Sequence, residues 1–345
     1  MFVFLTALFI FVIILAFVED YMTEAQKCCI LTVLSASMIA VAAFKDITFV
    51  ADAEEYERMF YNNDNILIEI STEPTFIYIS RFVLALGGSI AGVFFIYAAI
   101  SIPLKIMVIQ KMTPWVFSAL IIYVARYYTL HDLVQIRAGA ACAMLMVSVY
   151  YLVNKRPRLC AVFFIIAITF HYSSLAALPI LLIGNRKANK TVRFIMASII
   201  PIGFAMAFLG KDIFSFVPSS VITGKVELYS TNAFTYDTIV PYKSGVTLIK
   251  SMLFCFFLYY YEYLSERIKY FPLLMYFEAA SICAILMLTT VPVLCIRLSE
   301  LYGFIEPLLF ICCIHCIKPQ YLARIFIALV GTFILIANMH NNFIF

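Results

Sequence analysis

Run after run of this chain is long and apolar enough to lie across a lipid bilayer, which leaves few folds open to it. A hydrocarbon core about 30 Å thick is crossed by about 20 helical residues, and every backbone polar group inside it must be satisfied by the segment itself. Such runs fall at 2–18, 28–44, 90–110, 113–128, 133–153, 192–209, 246–264, 271–290, 301–317 and 322–338. The 345 residues are 64% hydrophobic and 13% charged, whereas a soluble domain is nearer half apolar and a quarter charged. The expectation is an all-α polytopic integral membrane protein with about 10–12 transmembrane helices. Residues 1–345 form one transmembrane domain, with no repeat, low-complexity tract or soluble-domain linker.

The remaining bulk properties narrow the class. A net charge of +4 is too small to suggest nucleic acid. Ten cysteines lie almost wholly within apolar runs and read as small hydrophobes, not a disulfide framework. The first run, Phe2 to Val18, has neither a basic leader nor a small-residue cleavage site, so it reads as a retained span.

Two stretches are not simple spans. Residues 75–86 make a short apolar helix ending at Gly87-Gly88. Residues 159–183 are one run with basic clusters at both ends, Lys155-Arg156-Pro157-Arg158 and Arg186-Lys187 with Lys190 and Arg193. Lys and Arg concentrate on the cytoplasmic side, and a single span would put one cluster on the wrong side. Two half-helices meeting near His171-Tyr172-Ser173-Ser174 keep both inside, each arm of about 11 residues reaching about 16 Å. His171 then sits at the tip, inside the protein. With this choice Lys27, Lys105, Lys111, Arg267, Lys269, Lys318 and Arg324 also fall inside. The outer loops are about 45–89, acid-rich up to residue 74, and 210–245, rich in Ser, Thr and Tyr.

On the outer side several residues carry chemistry. Asp52 and Tyr56 lie in the acidic loop, and Glu73-Pro74 opens the short helix; a proline in the first turn and a carboxylate before it also suit a helix start structurally. Next comes Arg126-Tyr-Tyr-Thr-Leu-His131-Asp132-Leu-Val-Gln135-Ile-Arg137. Asp132 can cap the helix that follows. Arg137 lies too deep for a loop residue; it either snorkels to the interface or faces a cavity and binds an anion through its forked donors. Arg297, Glu300 and Tyr302 fall where two late spans meet, and Arg297 with Glu300 also fits an ordinary surface pair. The Cys312-Cys313-Ile-His315-Cys316 cluster lies within one apolar run and lacks partners for a metal.

These residues resemble the Wzy-like polysaccharide polymerases of bacteria, in the EpsG-like branch. The resemblance rests on four stretches in order: Asp52 and Tyr56 followed by Glu73-Pro74-Thr-Phe; Gln135-Ile-Arg137-Ala-Gly-Ala-Ala; Phe170-His171-Tyr-Ser-Ser-Leu; and Arg297 with Tyr302. Gly139 and Ala140 depart from it, standing where larger aliphatics are usual. The resemblance implies an enzyme of the bacterial inner membrane with its active site facing the periplasm. Such enzymes join oligosaccharide repeat units carried on undecaprenyl pyrophosphate into O-antigen or related surface polysaccharide, with no cofactor or metal. It also implies a chain-length regulator (Wzz-like) and a flippase (Wzx-like) as partners. Arg137 and Arg297, with Arg126 as a third, would meet the pyrophosphate. His171 would take the acceptor proton, with Asp52, Glu73, Asp132 and Glu300 as rivals, and the outer loops would hold the sugars. Two other readings compete: a related transferase such as an O-antigen ligase, and a lipid-linked oligosaccharide flippase or transporter.

Overall fold

A computed structural model describes residues 1–50, 52–211, 213, 241–289 and 291–342, and their regular structure is helical. Most of the predicted outer loop 210–245 lies outside the described residues. Six helices are long and apolar enough to cross a membrane: Phe2–Tyr21, Glu24–Ala43, Ile90–Met112, Ile136–Val153, Lys190–Phe208 and Gln320–His340. Shorter apolar helices accompany them. The chain is an all-α polytopic membrane protein.

The described residues cluster in two compact units: Met1–Leu175 with Phe310–Phe345, and Ala176–Leu309. In the first unit, α1 (Phe2–Val18) buries Leu5, Leu8, Phe9, Val12, Leu15 and Ala16, a stripe at helical spacing. α2 (Glu24–Ala43) starts at a reciprocal cap in which Gln26 N–H donates to Thr23 Oγ1 (3.3 Å) and Thr23 N–H to Gln26 Oε1 (2.8 Å). The acid-rich stretch is helical rather than open loop, folding into α3 (Ala53–Tyr61), α4 (Ile66–Ser71) and α5 (Pro74–Ala85). α6 (Ile90–Met112) follows, and α7 (Val116–Ile122) runs directly into a π-helical stretch, Tyr123–Asp132. Leu133 N–H reaches Tyr128 O at 3.0 Å and Gln135 N–H reaches Leu130 O at 2.8 Å, both bonds skipping back five residues. α8 (Ile136–Val153) packs between α6 and α9 (Pro157–Phe170).

The run 159–183 is not one helix. α9 ends at Phe170, His171 is extended (φ −157°, ψ 117°), a 3₁₀ stretch covers Tyr172–Ala177, and α10 (Leu178–Ile183) ends at left-handed Gly184. The break falls at the residues the charge argument selects.

The second unit contains α10, α11 (Lys190–Phe208), α12 (Gly245–Tyr259), α13 (Tyr261–Arg267), α14 (Phe271–Met287) and α15 (Pro292–Tyr302). Its interior is tied by a buried polar cluster. Lys250 Nζ pairs with Glu306 (2.6 Å) and donates to Ser281 Oγ (2.7 Å), while Ser281 donates to the Ser299 carbonyl (2.7 Å). The expected span 301–317 is instead broken into short pieces, Gly303–Ile305, Glu306–Phe310 and Cys313–Cys316. Pro307 stands in the first turn of the middle piece, a position suited to restarting a helix.

Gly139 accounts for its own departure from the family pattern. A Cβ built there would lie 2.6 Å from the His131 carbonyl oxygen, so only glycine lets α8 approach the π stretch so closely. Gly139→Ala is expected to destabilise the protein by about 1–3 kcal/mol despite alanine's better helix propensity, because the obstructing atom is backbone. Thermal unfolding in detergent checks this; an unchanged midpoint would contradict it.

Candidate functional site

The first unit brings Arg137 and His171, from two of the sequence motifs, to the carboxylate of Glu73 from a third. Glu73 directly precedes α5, with Pro74 in the helix's first turn, and its side chain makes no cap bond to that helix. The carboxylate turns to two other elements. Oε2 accepts from Arg137 Nη1, and Oε1 lies 2.6 Å from His171 Nδ1. The Tyr172 amide also donates to Oε1, at 3.4 Å. Arg137 is the second residue of α8, and His171 sits at the helix break, so three separated segments converge.

Accessibility is graded across the trio. The Glu73 side chain is 5% exposed, whereas Arg137 and His171 are 22% and 27% exposed. The carboxylate is thus the inner support, and the guanidinium and imidazole form the accessible surface. Burial alone would raise the pKa of Glu73, but the His171 hydrogen bond and the Arg137 charge outweigh it and hold the carboxyl below the usual carboxylate range. A carboxylate can only accept, so Nδ1 of His171 carries a proton, a tautomer that leaves the lone pair of a neutral ring on Nε2.

Aromatic rings wall this polar core. The Arg137 Cζ atom lies 5.5 Å from the Tyr56 ring centroid and 5.9 Å from that of Phe76, distances at which ring and cation attract. Phe76 is 5.8 Å from Tyr56 and 6.3 Å from Tyr97, and Tyr97 meets Phe170 edge-on at 5.6 Å. Thr75 latches the two ends together by donating to the Thr169 carbonyl at 2.7 Å, two residues past Glu73 and two before His171. Thr75, Phe76 and Phe170 lie within the sequence motifs, whereas nothing in the sequence singles out Tyr97.

The other candidate residues are spread over several elements. Asp52 opens α3 in the left-handed region (φ 65°) and is half-buried. Arg126 is buried in the π stretch with its guanidinium 5.9 Å from the Tyr127 ring. Gln135 is buried at the start of α8. Arg297, Glu300 and Tyr302 are on α15 in the second unit, half-buried; Tyr302 donates to the Ala176 carbonyl at 3.0 Å.

Asp132 differs from expectation on two counts. It does not cap α8, since Gln135 holds the cap position without a side-chain bond. Nor does it lie across the membrane from Lys105, as the charge pattern predicts, because Lys105 Nζ pairs with it at 2.8 Å in the interior. The widened π stretch turns its last residue into the bundle, which hydropathy does not reveal.

Fold and site together define a polytopic membrane protein with an accessible Arg–His pair backed by a buried carboxylate. The chain belongs to the EpsG family, whose model matches residues 27–344. EpsG-like proteins are Wzy-type polymerases, and membership gives this chain a polysaccharide polymerase-like, glycosyltransferase-like function. No curated protein and no solved structure matches it.

Proposed function

We propose that the protein extends a surface polysaccharide by joining oligosaccharide repeat units carried on undecaprenyl pyrophosphate, at the periplasmic face of the bacterial inner membrane. The observation that carries this reading is the Arg137–Glu73–His171 constellation. An acceptor sugar hydroxyl attacks the anomeric carbon of the donor's first sugar. The bond from that carbon to the pyrophosphate oxygen breaks, and undecaprenyl pyrophosphate leaves with the bonding electrons. The hydroxyl proton passes to His171 Nε2.

In this scheme Glu73 fixes the imidazole tautomer and steadies the imidazolium that forms. Arg137 faces the pyrophosphate with donors that match its oxygens. With neutral His171 the trio has no net charge. Once His171 holds the proton it carries one positive charge, as negative charge develops on the leaving group. Such preorganised countercharge is most effective where charge appears in the transition state. The reaction balances without a metal or redox partner. Arg297 enters this reading through its sequence motif and is tested separately by Arg297→Ala.

The test is polymerisation of a purified lipid-linked repeat unit in detergent or liposomes. Arg137→Ala should lower the rate by about 10²–10³-fold, and Arg137→Lys should restore little of it, because an ammonium lacks the planar fork. Full activity of both variants would remove Arg137 from the site. Transport of the lipid-linked unit without product formation would favour the flippase reading.

A further inference from the structure

The π-helical stretch carries a polar clamp that the chemistry above does not use. Asp132, its last residue, has a fully buried side chain and accepts four hydrogen bonds. Ser101 Oγ donates to Oδ1 at 2.5 Å, Lys105 Nζ to Oδ1 and Oδ2 at 2.8 and 3.0 Å, and Tyr123 Oη to Oδ2 at 2.7 Å. Ser101 and Lys105 are one turn apart on α6, so one face of that helix grips the end of the stretch. Tyr123 is its first residue, so the Tyr123–Asp132 bond bridges both ends of the ten-residue widened helix.

The corner after the clamp is held as firmly. Lys45 Nζ donates to the Leu133 carbonyl at 2.5 Å and sits 3.9 Å from the Phe94 ring centroid. The His131 carbonyl rests against Gly139. Four residues after Asp132 the chain enters α8, and the next residue is Arg137. A π-helical turn stores an extra residue that an α-helix would redistribute along the chain. The register in which the chain enters α8, and with it the place of Arg137, depends on where that extra residue is held.

We infer that Tyr123, Asp132, Ser101 and Lys105 are positioning residues, which hold the π stretch in register so that Arg137 enters the site beside Glu73. The inference rests on the reading of Arg137 as the group that meets the pyrophosphate. It places reaction geometry under the control of side chains that touch no substrate. Mispositioning of this kind falls mainly on kcat, since the guanidinium is needed most where leaving-group charge develops.

The test is a double-mutant cycle in the purified polymerisation assay. Tyr123→Phe removes one hydroxyl and leaves Ser101 and Lys105 on Asp132, so the protein should fold and insert normally. Its kcat should fall on the order of 10-fold with KM little changed. In an Arg137→Ala background the same substitution should have almost no further effect, because what it positions is gone. If the Tyr123→Phe effect multiplies with that of Arg137→Ala, or if Tyr123→Phe retains full kcat, the positioning role is wrong. If Tyr123→Phe accumulates poorly, Ser101→Ala takes its place in the cycle under the same criteria. Wild-type protein that extends no chains would overturn the polymerase reading and this inference with it, whereas active wild type with an additive cycle would overturn the inference alone.

Discussion

His171→Ala should slow chain extension by about 10²–10⁴-fold, the range over which a positioned general base contributes. Glu73→Gln should be as damaging, on the order of 10³–10⁴-fold. It keeps the shape but removes the charge that opposes the imidazolium, and the amide can turn its NH₂ toward Nδ1 and reverse the tautomer. The Glu73→Gln/His171→Ala double variant should be little worse than either alone, because carboxylate and imidazole act as one unit. Initial rates with purified lipid-linked donor, normalised to folded protein, measure all three. A small effect for Glu73→Gln beside a large one for His171→Ala would confine the carboxylate to supporting the fold. Multiplying effects would mean that the two residues serve separate steps.

The largest stability effect is expected deep in the first unit. Lys105→Met should destabilise the protein by about 3–5 kcal/mol, since it leaves the Asp132 carboxylate buried without its cation. Replacing both partners, as in Lys105→Met/Asp132→Leu, should recover most of that loss, because a well-packed apolar pair avoids the desolvation of two charges. Thermal unfolding in detergent distinguishes the cases; equal losses in the single and double variants would show that the pair is not the determinant. The recovered double variant should still extend chains slowly, since Tyr123 and Ser101 have lost the acceptor that fixes the π stretch. Stability and activity would then part company in one protein.

Much of this architecture is legible from hydropathy and charge. α1 matches its predicted run, Phe2–Val18, because an uninterrupted apolar stretch has one way to satisfy its backbone in lipid. The break at His171 follows from basic clusters at both ends of a single run. The three core residues of the candidate site, Glu73, Arg137 and His171, each belong to a motif visible in the sequence. What does not follow is the pairing. Glu73 before a proline reads as a helix start, and only the fold shows that its carboxylate faces two other segments. The π stretch escapes notice because it consists of the same residue types as an α-helix, and its extra residue changes register without changing hydropathy. Asp132 therefore lies in the bundle interior and not at the exposed helix start that its sequence position suggests. Tyr97 carries no local signal, since its importance lies in meeting Phe170 across the bundle.

The central claim is that this chain links repeat units and that the linkage runs through the Arg137–Glu73–His171 group. Its most direct test gives purified protein a lipid-linked repeat unit and follows product length together with released undecaprenyl pyrophosphate. The account predicts a ladder that lengthens with one lipid pyrophosphate released per added unit, lost together in Glu73→Gln and His171→Ala while folded protein remains. Wild-type protein that neither lengthens the chain nor releases the lipid would contradict it, as would an undiminished ladder from both variants.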